Sequence, residues 1–444
     1  MRWAWLWLLA GCLPELDGGV VIEGRHVTVH ADPAIPVCED AVANADRFVE
    51  DTSAMLGVEP PHIDYYLFDG PTGCGYGQYA TASCAINGAV FANVWIHYHE
   101  LVHAVDDSHP PALFVEGLAE ALSIPSSVAR NTSLSRKDAE VPFESTRFRA
   151  GEPATNYQVA GDFVRYLLDR FGMVRYRRFA HSLVSLADQI TIRRAFREAF
   201  DATLDDVIAD WRRTDPRDSA LSVPVDLAEC HDVITPISDE TWGADHVEPS
   251  SCATGTTSRG SYYAQPQHRY GFEVSEPGLF LVHAGGGEGA RCALRSCVAG
   301  RRDEYSMSGD VQGFVATPLV AGRHAIELLD GVERWRVSRL GDVGSSCETA
   351  PSFTAPAGEA WRLELRGEPA TWLRVDYEGD RPVYAYTRLT SPTRMCVGGC
   401  APSQCKPLAH QIVVERLAGQ PLYIELGPRT DAAPLVIVGV DPTP

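Results

Sequence analysis

The 444-residue sequence has no surplus of basic side chains. Its 38 Lys and Arg face 59 Asp and Glu, a formal net charge of -21. A surface of that sign lacks the positive field that phosphate backbones require, which excludes nucleic acid as a partner. Solubility is a sufficient reason for the acidity. Long hydrophobic runs are missing too: the apolar stretch that opens the chain, Trp3 to Ala10, falls far short of the roughly 20 residues that span a bilayer. Cysteines do not form the paired CxxC pattern of a zinc ribbon, and Cys396, Cys400 and Cys405 read instead as disulfide partners. What is present is a globular composition, 45% hydrophobic and 22% charged. At this length two or three domains are expected.

The start of the chain carries its own signal. Arg2, the run WAWLWLLA and the small residues after it read as a secretory signal. Leu9-Ala10-Gly11-Cys12 resembles the bacterial lipoprotein box, which implies lipidation at Cys12 and a membrane-anchored protein on the periplasmic or cell-surface side. The alternative is a signal cut elsewhere, with Cys12 incidental. Twelve cysteines agree with an oxidising compartment. Cys74–Cys84, Cys230–Cys252 and Cys292–Cys297 are the local pairs expected, although spacing does not fix connectivity.

Residues 1–19 are therefore taken as signal and tether, and 20–215 as a first domain. In it VVIEGRHVTV (20–29) predicts a strand or hairpin, 38–56 a helix and 63–68 a second strand. Residues 70–92 predict a loop or hairpin stapled by Cys74 and Cys84. Helices follow at 95–107, 112–123, 156–171, 174–186, 189–200 and 204–213, so the domain is α+β. After residue 215 helical periodicity stops. Short alternating runs such as HRYGFEV, LFLVHA and WLRVDY predict two β-sandwich domains, 225–343 and 344–444. They look like the small jelly-roll or prepeptidase-type β-domains that follow many secreted bacterial peptidases.

The chemistry concentrates in HYHELVHAVDD. His99 and His103 are four residues apart, so on a helix both imidazoles reach one ion. Glu100, next to His99, stands beside that ion, where a carboxylate takes a proton from the attacking water. His97, two residues earlier, points elsewhere on the helix. Two histidines do not close a zinc site; a third ligand is needed. Twelve residues separate His103 from Glu116, which lies in the segment Phe114-Val-Glu-Gly-Leu-Ala-Glu-Ala-Leu122. Pro110 and Pro111 lie between, breaking one helix and starting the next.

HExxH followed by hydrophobic-x-Glu-Gly-hydrophobic-Ala resembles the signature of gluzincin zinc metallopeptidases, the peptidase-MA-like group in particular. The resemblance implies a thermolysin-like domain, one Zn2+ held by His99, His103 and Glu116, and Glu100 as general base. Its spacing of twelve is shorter than in the best-known aminopeptidase members. Glu120, one turn after Glu116, either orients a ligand histidine or competes for the metal. The helix NYQVAGDFVRYL (156–167) is also similar to one in that group, which implies that Tyr157 donates to the oxyanion; the same tyrosine fits a core stripe with Ala160, Val164, Leu167 and Phe171. The resemblance covers roughly residues 20–213. The expectation is an exported zinc-dependent peptidase acting on peptide or protein substrates. The alternative is an inactive zinc-binding surface lipoprotein that works as a binding or adhesion module.

Overall fold

The structure is a computed structural model. It describes residues 19–35, 37, 39–70, 72, 74, 83–124, 136, 141, 148, 153–214, 223–225, 234–236, 241–244, 257–258, 266–286, 290–297, 305–309, 312–328, 332–356, 361–366, 371–379, 382–387, 393–408, 413–415, 419–425 and 435–440. The signal segment, Cys12 and the expected Cys230–Cys252 pair lie outside these residues. Among those described, no helix is long and apolar enough to cross a membrane. The fold is mixed α+β with several sheets, and the chain divides into two compact units, 1–229 with 255–265 and 230–254 with 266–444.

The first unit opens on a five-stranded sheet in the order β1-β2-β3-β5-β4. Strands β1 (Val20–Glu23) and β2 (Val27–Ala31) form an antiparallel hairpin. Helix α1 (Glu39–Leu56) carries the chain over to β3 (Ile63–Leu67), which lies parallel to β2. Strand β5 (Ala89–Ala92) runs parallel to β3, and β4 (Cys84–Ile86) closes the edge antiparallel to β5. Asn87 and Gly88 both take positive φ between β4 and β5, the backbone that a two-residue hairpin of this twist demands. Alternation selects the inner face: Val27, Val29, Ala31, Ile63, Tyr65, Leu67, Val90 and Ala92 are buried in one core with Val42, Ala45, Phe48 and Val49 of α1.

Among the described residues six helices follow: α2 (Tyr98–Val105), α3 (Ala112–Ser123), α4 (Pro153–Phe171), α5 (Met173–His181), α6 (Gln189–Phe200) and α7 (Leu204–Trp211). Helix α2 spans 98–105 rather than the expected 95–107, and two further bounds differ for visible reasons. Helix α4 begins three residues early, on Pro153, whose fixed φ and missing N–H suit a first helical position. Helix α5 stops at His181 rather than 186, because the Ser182 N–H and Oγ both turn back to the Phe179 carbonyl, 3.1 and 2.7 Å away. Helices α3 and α4 meet at glycines. A Cβ on Gly117 would lie 2.6 Å from Val164 Cγ2, and one on Gly161 would lie 2.7 Å from Glu120 Cβ. Arg165 of α4 then donates to the Ala121 and Ile124 carbonyls, both at 2.7 Å, and so satisfies the end of α3.

The second unit is all strand apart from one short 3-10 turn, among the described residues. An eight-stranded sheet runs in the order Val413–Glu415, Val383–Thr387, Leu435–Val440, β17 (Trp361–Arg366), β13 (Gln312–Leu319), β10 (Gly278–Gly286), β15 (Val332–Gly341) and Thr241–Ala244. Phe280, Val282, Val315, Trp335 and Val337 pack from one face of this sheet against Phe272, Leu294 and Ile326 of a six-stranded sheet. Leu279, Phe314 and Ala316, with Trp361, Leu363 and Leu365, pack against Leu373, Val375, Met395 and Ile424 of a five-stranded sheet. Leu279, Phe314 and Ala316 precede residue 344, where the sequence divides two β-regions, yet they belong to the second core. The parallel pairing of β13 with β17 joins both cores on one continuous sheet.

Disulfides staple both units. Cys74–Cys84 ties the loop before β4 to that strand. Cys347–Cys400 and Cys396–Cys405 take up all three members of the Cys396 cluster. Cys297 is also disulfide-bonded, while the Cys292 side chain lies outside the described residues.

Candidate metal centre

The site is assembled from the helices that follow the sheet. Tyr65 of β3 places the start of α2: its hydroxyl accepts the His97 N–H at 3.0 Å and donates to the Val94 carbonyl at 2.6 Å. From there the i, i+4 spacing aligns His99 and His103 on one side of α2. Asp106 ends the helix and turns its carboxylate onto the Ser108 hydroxyl at 2.6 Å. Pro111 then stands at the N-cap of α3, and one turn into that helix Glu116 comes back toward the two histidines.

Three ligand atoms converge. His99 Nε2, His103 Nε2 and Glu116 Oε2 are mutually 3.1 Å apart. Neighbouring ligands of a tetrahedral ion bonded at roughly 2.0–2.1 Å stand about 3.3–3.4 Å apart, so the spacing fits one small divalent cation. The donor types, two imidazoles and a carboxylate, fit it as well. This is the group among the described residues able to hold a metal ion.

The surroundings of His99 fix its orientation. Its Nδ1 lies 3.3 Å from Glu120 Oε1, on the ring edge away from the triangle. Of the two roles that the sequence leaves to Glu120, the geometry therefore selects orientation over competition for the ion. Burial alone would lower the His99 pKa, but hydrogen bonds to the Glu116 and Glu120 carboxylates outweigh it and hold it up at about 10. Glu116 responds reciprocally: burial opposes its ionisation, yet the two imidazoles hold it below the usual carboxylate range.

Glu100 is buried and interacts electrostatically with all three donors. Burial pushes its carboxyl up, His99 and His103 pull it down, Glu116 adds to the rise, and a hydrogen bond from the Ala85 backbone opposes it. That contact links the edge strand β4, stapled by Cys74–Cys84, to the site; being a backbone group, it leaves no residue-type signal in the sequence. Tyr157 of α4 lies with its ring centroid 5.8 Å from that of His99 and packs on Phe148. Its hydroxyl pKa is raised by burial and by Glu116, Glu100 and Glu120, and it hydrogen-bonds Glu116. His97 stays outside the triangle, its ring 6.0 Å from the His99 ring, and burial with the two neighbouring histidines lowers its pKa to about 3.

No family model matches the sequence, and no curated protein matches it either. Solved structures give weak likenesses. The pre-peptidase C-terminal domain of a Bacillus anthracis collagenase is 11% identical, covering 24% of this chain and 94% of that one, with a TM-score of 0.17. A conserved protein of unknown function from Pseudomonas aeruginosa PAO1 is 14% identical, covering 39% and 78%, with a TM-score of 0.15. The CUB1-EGF-CUB2 fragment of human MASP-1/3 is 7% identical, covering 46% and 99%, with a TM-score of 0.16.

Proposed function

We propose that the first unit is a zinc-dependent peptidase of the gluzincin kind, with a thermolysin-like arrangement of His99, His103 and Glu116 as its metal ligands. The single observation that carries this reading is the 3.1 Å triangle of these three donors with Glu100 buried beside it. A zinc ion bound there supplies Lewis acidity, polarising an amide carbonyl and bringing the pKa of water to about 7.

The chain's own groups do the rest. Glu100, whose burial raises its proton affinity, takes the proton of the attacking water at its carboxylate and passes it to the leaving amine. Tyr157 keeps its hydroxyl proton, because burial and three carboxylates oppose ionisation, and so stays a donor for the developing oxyanion. Glu120 holds His99 with Nδ1 protonated and Nε2 free to ligate. Export and a lipid anchor at Cys12 belong to the same reading, resting on the Leu9-Ala10-Gly11-Cys12 segment.

The test is metal analysis of the purified chain together with cleavage of a broad peptide library. About one zinc per chain with zinc-dependent hydrolysis supports the proposal, and a chain that takes up no zinc after reconstitution ends it. Zinc uptake without any cleavage leaves the binding-module alternative standing in its place.

A further inference from the structure

The surface of the first unit has a second feature that its candidate chemistry does not use. Among the described residues, eight large hydrophobic side chains are exposed, and four of them fall within residues 174–190. Val184 (68%), Leu186 (80%) and Ile190 (78%) project from the turn joining α5 to α6 and from the first residues of α6; Val174 (77%) lies at the far end of α5. Beneath them the hairpin is firmly built. Phe179 of α5 packs on Phe196 and Phe200 of α6, with ring centroids 5.5 and 5.4 Å apart, so the exposed residues sit on a rigid support.

Charge accompanies them. In a chain of net charge -21, residues 173–197 carry six arginines, at 175, 177, 178, 193, 194 and 197, and one acid, Asp188. Arg177 is engaged by the Leu56 carbonyl and, with His181, by Asp107, and Arg193 pairs with Asp205 at 2.6 Å. Arg175 reaches the Phe200 carbonyl at 3.4 Å. Asp188 is spent on capping α6, accepting the Thr191 N–H at 2.8 Å. Arg178, Arg194 and Arg197 are exposed. At 1.5 Å per residue, Arg178 lies about 4.5 Å and Arg194 about 7.5 Å behind the helix ends that frame the turn.

We propose that this α5–α6 tip docks on the surface of an anionic lipid bilayer, with Val184, Leu186 and Ile190 entering the acyl boundary and Arg178 and Arg194 meeting lipid phosphates. Interfacial segments bury their apolar side chains about 5–10 Å deep, which matches the setback of the two arginines. Separate aliphatic side chains projecting at 68–80% exposure suit a fluid surface; a protein partner would need a shaped complement of about 800 Å². The lipid anchor expected at Cys12 would bring the tip to the same surface, where the tip adds a second contact. The proposal does not depend on the metal centre, whose residues lie on α2, α3 and α4.

The test uses the full chain with Cys12→Ser, so that no acyl chain contributes, and sedimentation with vesicles of phosphatidylcholine alone or mixed equally with phosphatidylglycerol. Binding is expected to the anionic vesicles and to weaken as salt rises. Leu186→Asp with Ile190→Asp should weaken it by about ten-fold or more, since the apolar transfer is lost. Arg178→Gln and Arg194→Gln should each weaken it about five-fold and flatten the salt dependence. All four positions are on the surface, so thermal melting should be unchanged, which separates lost contact from lost fold. Leu186→Trp should shift its emission to the blue on adding anionic vesicles. The proposal is overturned if the parent does not sediment with anionic vesicles, if the substituted chains bind as well as the parent, or if the tip proves to mediate self-association without lipid binding.

Discussion

His99 Nδ1 lies 3.3 Å from Glu120 Oε1, while the same ring's Nε2 faces Glu116, four residues earlier on the same helix. One turn of α3 thus grips both edges of one imidazole. Glu120→Ala is expected to lower zinc affinity about 10–100-fold while leaving all three donors in place. Glu120→Gln, which keeps an acceptor oxygen, should lose less. Competition with a chelator of known affinity checks both; unchanged affinity in Glu120→Ala would show that the Nδ1 contact does not support the site.

Glu100→Gln isolates the proton-transfer role proposed for this residue. The amide is close in size to the carboxyl and removes only the base, so zinc content should stay near the parent value. Peptide hydrolysis should fall by about 10²–10⁴. Parallel metal analysis and initial-rate measurements decide the matter, and full activity in the variant would assign the base elsewhere.

Much of this arrangement was legible from residue order, because helical periodicity is local. His99 and His103 at i, i+4, Glu116 beside Gly117, and the proline pair between the two helices are signals that neighbouring residues carry. What could not be read is what depends on distant parts of the chain meeting. The Ala85 backbone contact to Glu100 requires β4 to pair with β5 and come to rest against α2. Likewise the alternation in β10 and β13 predicts strands with two apolar faces, but not that the parallel β13–β17 pairing threads both cores onto one sheet. The end of α5 departs from its periodicity for a smaller reason: apolar residues continue to Leu186 at helical spacing, while Ser182 diverts the Phe179 carbonyl.

Metal binding should be coupled to proton release. In the metal-free chain burial disfavours the His99 cation, but the Glu116 and Glu120 hydrogen bonds outweigh this and keep the ring protonated to about pH 10. Ligation takes the Nε2 lone pair, so at neutral pH the bound proton has to leave. About one proton per zinc is expected at pH 7, with affinity rising about ten-fold per pH unit between pH 6 and 8. Calorimetry in buffers of different protonation enthalpy measures this directly. Zero release would mean that His99 is already neutral.

Gly117 has a steric reason that can be tested without any metal. A methyl group there would sit 2.6 Å from Val164 Cγ2 and 2.7 Å from the Ala160 carbonyl oxygen. The second of these is helix backbone, which gives less readily than a side chain. Gly117→Ala should therefore force α3 away from α4 and destabilise the unit by about 1–3 kcal/mol, despite the better helix propensity of alanine. Because Glu116 is the preceding residue, zinc affinity should fall with it. Urea unfolding and zinc titration of the same preparation test both; a stabilised variant would show that the two helices separate freely.

His324 gives the second unit a pH dependence of its own. Its ring is buried and stacks on Phe272; Nε2 lies 2.9 Å from the Val320 carbonyl, and Nδ1 is buried without a hydrogen-bond partner. Burial lowers its pKa to about 4, the Val320 carbonyl opposing only in part, whereas in an unfolded chain histidine titrates near 6.5. Between those values the unfolded state holds a proton that the folded state refuses, so stability falls as pH is lowered from about 6.5 to 4. The loss is on the order of 3 kcal/mol over the whole window and absent above it. His324→Gln keeps a donor for the Val320 carbonyl and removes the titration. Melting curves between pH 4 and 7 should therefore be flatter for the variant than for the parent, although its stability at pH 7 is lower through lost ring packing. Identical slopes would show that protonation of this ring does not contribute to acid sensitivity.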